Sequence, residues 1–198
     1  MGRWRFGPKS VLVLLALVVG CGLFKPRDPR TAVPIPQERC RVRSSPDSVV
    51  ANITLHYGRG TDCYGTQVDA AFQFFPDPQD SLQRDNPPAP NPFEGWNRDV
   101  EIGVSQTIST RADTVLVSFD SEYAARSTTT NPTRETRYYN YHVLVILAPA
   151  DTTRYQGQAE MTFIQRTTDY TLESFRDHRD GSGLPTWGSL RADQRLGQ

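Results

Sequence analysis

Apolar and polar residues alternate most regularly over residues 137–147, where Tyr139, Tyr141, Val143, Val145 and Leu147 take one parity and Tyr138, Asn140 and His142 begin the other. A period of two over that length predicts a β-strand with one continuous buried face. The run lies inside a block, 113–178, that reads as four strands separated by polar turns at 127–135, 148–153 and 166–169. The same parity collects Val115, Val117, Phe119, Ser121 and Tyr123 from the strand before, and Tyr155, Gly157, Ala159, Met161 and Phe163 from the strand after. No acid, histidine or lysine falls on this predicted inner face. Asp120, Glu122, His142 and Glu160 have the opposite parity and are expected outside.

Ahead of the strands the period changes. Ser45, Pro46 and Asp47 supply a hydroxyl N-cap, a proline at the first helical position and an acid in the first turn. Val49, Val50, Ile53, His56 and Tyr57 then fall on one side, and Gly58 and Gly60 end the run. A shorter helical piece is predicted over 62–69 and a strand over 71–75. A second amphipathic helix is predicted over 96–108, with Trp96, Val100, Val104 and Ile108 at steps of four. Residues 76–92 hold six prolines without periodicity and read as a long surface loop. Helices segregated from a meander of long strands give an α+β domain with one core.

The amino terminus has a different grammar. Arg3, Arg5 and Lys9 precede an unbroken apolar run over 11–19, which is a secretory signal peptide covering 1–20. The run is about half the roughly 20 residues a spanning helix needs. Val18-Val19-Gly20-Cys21 resembles the lipobox of bacterial lipoproteins. That resemblance implies cleavage before Cys21, acylation of its sulfur and new amino group with palmitate-like chains, and a membrane anchor. Gly22 rather than an aspartate follows the cysteine, which implies the outer membrane. Residues 21–44 are proline-rich and read as a tether, 45–192 as the folded domain and 193–198 as a tail.

Twenty-two basic residues balance 22 acidic ones. Loss of residues 1–20 removes three basic residues and no acid, leaving the mature chain near −3. Such a domain has no electrostatic footprint for nucleic acid. Cys40 and Cys63 in an exported chain form either a disulfide or two unpaired thiols. Neither has a sequence neighbour that would act as its base.

Ser45 to Val50 with His56-Tyr57, Phe72-Gln73-Phe74, Trp96-Asn97-Arg98-Asp99, and the ending Tyr170 to Asp177 followed by Thr186-Trp187-Gly188-Ser189-Leu190 resemble the NTF2-like (SnoaL-like, cystatin-like) superfamily. The resemblance implies a cone, with N-terminal helices packed on a curved antiparallel sheet. It also implies that family enzymes keep a carboxylate or histidine on the concave face. The inner face here lacks one, so the chain is expected to be non-catalytic, an anchored envelope protein whose domain binds a small hydrophobic molecule or a protein partner. The alternative is an NTF2-like enzyme acting on a small hydrophobic substrate, with Asp62, Asp69, Asp99 and Glu101 as the carboxylates whose facing is open. A third reading fills the cone with Phe72, Trp96 and Met161.

Tyr57, Phe72, Tyr123, Tyr139, Tyr141 and Tyr155 are the candidate pocket lining. The inward tyrosines Tyr123, Tyr139, Tyr141 and Tyr155 are read first as core residues whose hydroxyls reach water, with a small-molecule site or a homodimer contact as the alternatives. His56 is expected near a helix end, His142 on the sheet surface and His178 in a solvated turn. No metal cluster or cofactor motif is present in the sequence, and none is expected.

Overall fold

The long alternating run becomes the spine of a six-stranded sheet in the computed structural model, which describes residues 39–84, 91–147 and 151–197. The elements are α1 (Pro46–Arg59), α2 (Tyr64–Gln67), β1 (Val68–Phe75), α3 (Pro78–Arg84), α4 (Arg98–Arg111), β2 (Thr114–Glu122), β3 (Ser127–Thr130), β4 (Thr133–Leu147), β5 (Asp151–Arg166), β6 (Asp169–His178) and α5 (Trp187–Leu196). The strands run in the order β1-β6-β5-β4-β2, and β3 pairs with β4. β1 joins β6 in parallel, while β2, β3, β5 and β6 are linked by antiparallel pairings through β4 and β5.

Helix α1 begins as the sequence predicts. Ser45 caps it in a reciprocal box with Ser48, and Gly60 closes it in the left-handed region at φ 60°. Its stripe of Val49, Ile53 and Tyr57 is buried against the sheet. In α4 the cap is Asn97, whose side chain accepts from the amides of Asp99 and Val100. Trp96, read from its spacing as the first helical residue, sits just before that cap.

Several expectations change. The proline-rich segment 76–92 carries α3, because Asp77 accepts from the Gln79 amide and turns the chain into a helix. The segment 127–135 is a β-hairpin, β3 and the start of β4, with a cis Asn131–Pro132 bond. A bulge in β2 between Phe119 and Glu122 flips the parity of the residues beyond it. Glu122 therefore lies opposite Tyr139, and Tyr123, expected inside, is 37% exposed with its ring against Tyr138 on the outer face.

The folded body starts ahead of residue 45. Cys40 and Cys63 are joined by a disulfide, with Cα atoms 5.5 Å apart. Arg41 N donates to Asn52 Oδ1 at 2.7 Å, and Tyr170 N donates to Arg43 O at 2.7 Å. Residues 193–196, expected in the tail, are the last turn of α5. Residues 1–20 and the acylation site at Cys21 lie outside the described residues. Among the described residues, no helix is long and apolar enough to cross a membrane.

Candidate functional site

The interior of the cone is where the sequence put a pocket, and it is filled. Helix α5 is capped by Thr186 and drives Trp187 and Arg191 into the concave face. The Trp187 ring lies 5.5 Å from Tyr57, 5.6 Å from Phe119, 5.7 Å from Tyr141 and 5.6 Å from Phe175, centroid to centroid. The Arg191 guanidinium sits 4.4 Å from Trp187, 4.7 Å from Phe175 and 4.8 Å from Phe74, so aromatic faces surround the cation. A half-open pocket of about 50 Å³ lies at the edge, between Ile108, Val145, Tyr155 and Leu190 and the surface residues Arg111 and Leu147.

The interior is not free of ionisable groups. Glu101, one of the carboxylates whose facing was open, is buried and meets Arg191 Nη2 at 2.8 Å. Tyr64 Oη donates to the same carboxylate, and Trp96 Nε1 donates to its other oxygen at 2.8 Å. Burial pushes the Arg191 proton affinity down, but the Glu101 charge and the phenols of Tyr64 and Tyr57 outweigh it, and Arg191 stays cationic. Burial also pushes Tyr57 up to about 12.

Asp177 is the second buried acid. Tyr141 lies opposite Gly157 and Asp177 opposite Ala159, and the two small residues leave room for Tyr141 Oη to donate to Asp177 Oδ1 at 2.6 Å. A Cβ at position 157 would stand 2.5 Å from that hydroxyl. Gly188 N, in the first turn of α5, donates to Asp177 Oδ2 at 2.5 Å, and Trp187 N donates to Tyr141 Oη at 2.8 Å. Burial raises the Asp177 carboxyl to about 6, against the hydrogen bonds from Tyr141 and Gly188 and the Arg191 charge. The sequence reading missed Asp177 because it followed parity through three strands and stopped before β6.

His56 is buried between helices: its Nε2 is 2.8 Å from Ser105 Oγ, and its Nδ1 bonds Thr61 O. Burial lowers its pKa, with the Thr61 and Ser105 bonds opposing. Asp80, from α3, is fully buried and accepts from Thr186 Oγ1, from Ser189 Oγ at 3.0 Å and from Arg179. It pins the start of α5 over the cone.

Of the predicted pocket residues, Tyr57, Phe72, Tyr139, Tyr141 and Tyr155 are core and Tyr123 is outside. Tyr139 Oη lies 3.4 Å from the buried Arg137. Asp62 and Asp99 face solvent. Asp69 binds Arg166 at 3.1 Å and Thr171 at 2.8 Å. Burial acts to raise its carboxyl, but the bonds from Arg166, the Ala71 amide and Thr171 win and hold it at about 2. His178 ends β6, half-buried. No cluster able to hold a metal ion occurs among the described residues.

Open space lies instead on the other face of the sheet. The register aligns Leu116, Leu144 and Arg154 in one row and Ser118, His142 and Gln156 in the next. With Leu184 as a rim, these residues line a groove of about 420 Å³. His142 Nε2 stands 3.0 Å from Asp120 Oδ2, both half exposed.

No protein-family model matches the chain, and no curated protein matches its sequence. Solved structures do. A protein described as a scytalone dehydratase from Novosphingobium aromaticivorans aligns with TM-score 0.53 at 7% identity, over 72% of this chain and 90% of that one. A protein described as an aromatic ring hydroxylase, from the same organism, aligns with TM-score 0.53 at 5% identity, over 73% and 92%. A Salmonella enterica protein described as NTF2-like aligns with TM-score 0.48 at 8% identity, over 68% and 89%. The fold is an NTF2-like cone. The expectation that the chain is not an enzyme does not stand. It rested on an inner face without acids, Glu101 and Asp177 are buried there, and the neighbours in this fold include proteins described as enzymes.

Proposed function

We propose that this chain is exported, held on a bacterial membrane by acyl groups on Cys21, and displays an NTF2-like domain that binds a small molecule in the cell envelope, the outer membrane being favoured. The observation that carries the address is the Cys40–Cys63 disulfide, which belongs to oxidising compartments and closes the point where the tether meets the body. What supports the binding half is the outer groove. Its volume of about 420 Å³ and its leucine walls with a few polar groups suit a small-molecule site. Cys21→Ser should move the protein from the membrane fraction to the soluble fraction and abolish palmitate incorporation. Unchanged fractionation sinks the anchor.

A second reading is an NTF2-like enzyme acting on a small hydrophobic substrate. Asp177 favours it, a buried carboxyl raised to about 6 beside the Tyr141 hydroxyl, as acid–base chemistry near neutral pH requires. The Trp187 indole N–H and Arg191 Nη1 have no acceptor among the described residues and lie in the same interior. A substrate there would have to displace or pass Trp187. A screen of partly saturated ring compounds that carry an alcohol beside a C–H bond, for loss of water across that pair, tests this reading. It is abandoned if no compound turns over, or if Asp177→Asn, still folded, turns one over as fast as the unaltered chain.

A further inference from the structure

We infer that the outer groove is a site for a monomeric amphipathic anion, a single-chain or ring-bearing molecule with one carboxylate or sulfate-like group. This rests on the small-molecule reading above and names the ligand class and the residues that select it. The two register rows put three chemistries side by side on one face. Leu116 and Leu144 are adjacent across β2 and β4, and Arg154 continues their row on β5. Leu116 is 51% exposed, which an unoccupied surface leaves as a cost and an apolar ligand body would relieve. Arg154 has no carboxylate partner among the described residues, whereas eight other arginines there have one. A guanidinium at the end of a leucine row is the arrangement that orients a carboxylate in two-pronged fashion.

The wall opposite is built rather than incidental. Gln156 N donates to Pro185 O at 3.0 Å, and Gln156 Nε2 donates to Asp180 Oδ2 at 2.6 Å. Asp180 Oδ1 accepts from Ser182 N at 2.9 Å, and Ser182 Oγ accepts from Leu184 N at 3.2 Å. Gly181 and Gly183, at φ 82° and 79°, let the loop make those two turns. The result holds Leu184 over the groove as a third apolar wall. On the remaining side Asp120 Oδ2 stands 3.0 Å from His142 Nε2, and Asp180 is held by Gln156 Nε2.

The test uses the mature chain with Cys21→Ser and two fluorescent probes of similar apolar body, the anionic anilinonaphthalene sulfonate and the neutral phenylnaphthylamine. The anionic probe should bind at one site and be displaced by decanoate but not by phosphatidylglycerol vesicles. Arg154→Glu should weaken it about tenfold or more while moving the neutral probe little. Leu144→Asp should weaken both, with near-ultraviolet circular dichroism confirming that each variant is folded. If Arg154→Glu leaves the anionic probe unchanged but Leu144→Asp abolishes both probes, the anion preference is wrong and the small-molecule site survives. If neither probe binds, both readings fall. Displacement by the vesicles instead of decanoate would make the ligand a bilayer lipid. A dimer by light scattering that Leu116→Asp dissociates would make the occupant a second copy, and either result overturns the inference.

Discussion

The two faces of the β2–β4–β5 sheet are made from the same strands, one residue out of phase, yet they meet opposite fates. At Val143 the chain faces the buried core; at Leu144 it faces an open groove. The inner face is covered by a helix from the same chain, and that helix brings charge with it. Arg191 must be balanced by Glu101, and the α5 amide by Asp177, so the inside of this cone is held by buried polar groups set among aromatic rings. The outer face carries its polar groups at the surface, where each costs little to solvate. Ionisable residues inside thus serve structure, while the outer face keeps an open groove of leucine and polar side chains.

Breaking the inner arrangement should have the largest effect. Glu101→Leu leaves Arg191 charged and unpaired in an aromatic box and strips an acceptor from Tyr64 and Trp96; it is expected to cost about 3–5 kcal/mol in urea unfolding. Adding Arg191→Met should recover part of that, with a coupling above about 1 kcal/mol. Recovery stays incomplete because the Tyr64 hydroxyl and the Trp96 indole still lack their partner. Strictly additive effects of the two changes would mean that the pair does not hold α5 in the cone.

Next comes Asp177, whose effect depends on pH. A folded pKa of about 6, raised from 3.8, means that the folded state prefers the neutral carboxyl. Its contribution is fully present below about pH 4 and is lost as pH rises through about 6, a change of about 3 kcal/mol. His56 works against it in part of the same window. Its lowered pKa gives stability above 6.5 that is lost as pH falls. Asp69, held at about 2, matters only below about pH 4. The quantity to measure is therefore the difference in unfolding free energy between the wild-type chain and Asp177→Asn from pH 4 to 7. The wild type should lose ground against the variant as pH rises, on top of a constant offset for the hydrogen bond that asparagine cannot accept from Gly188 N. A difference that stays flat across the window would show that Asp177 ionises in the fold as it does in solution.

The sequence made the sheet and α1 readable because both announce themselves in spacing: a period of two in β4, and a hydroxyl–proline–acid start for α1. Failures came where tertiary structure overrode local pattern. The bulge after Phe119 is one extra residue with no marker in composition, and it was enough to send Tyr123 outward. Helix α3 hides in a proline-rich stretch because its purpose is to supply Asp80, a buried acceptor for Thr186 and Ser189 that were more than a hundred residues away. Helix α5 did carry a signal, Thr186 as N-cap and Gly197 at its end. Its buried stripe, however, includes an arginine, which apolar periodicity counts as surface. The facing of Glu101 stayed open and Asp177 was missed for the same reason: parity finds what is apolar, and these acids are inside only because Arg191, Tyr141 and a helix amide are there to meet them.

The smallest expected effect is the sharpest comparison, because it uses neighbours in one strand. Val143→Ala removes a buried side chain from the inner face and should cost about 1.5–3 kcal/mol. Leu144→Ser, one residue along, removes a larger apolar group from the outer face and should change stability by less than about 0.5 kcal/mol. Were Leu144→Ser to cost as much as Val143→Ala in the monomeric chain, the outer row would be core in solution and the groove closed. A near-zero cost joined to loss of probe binding would instead mean that Leu144 is kept for what it contacts outside the domain, since the fold itself gains almost nothing from it.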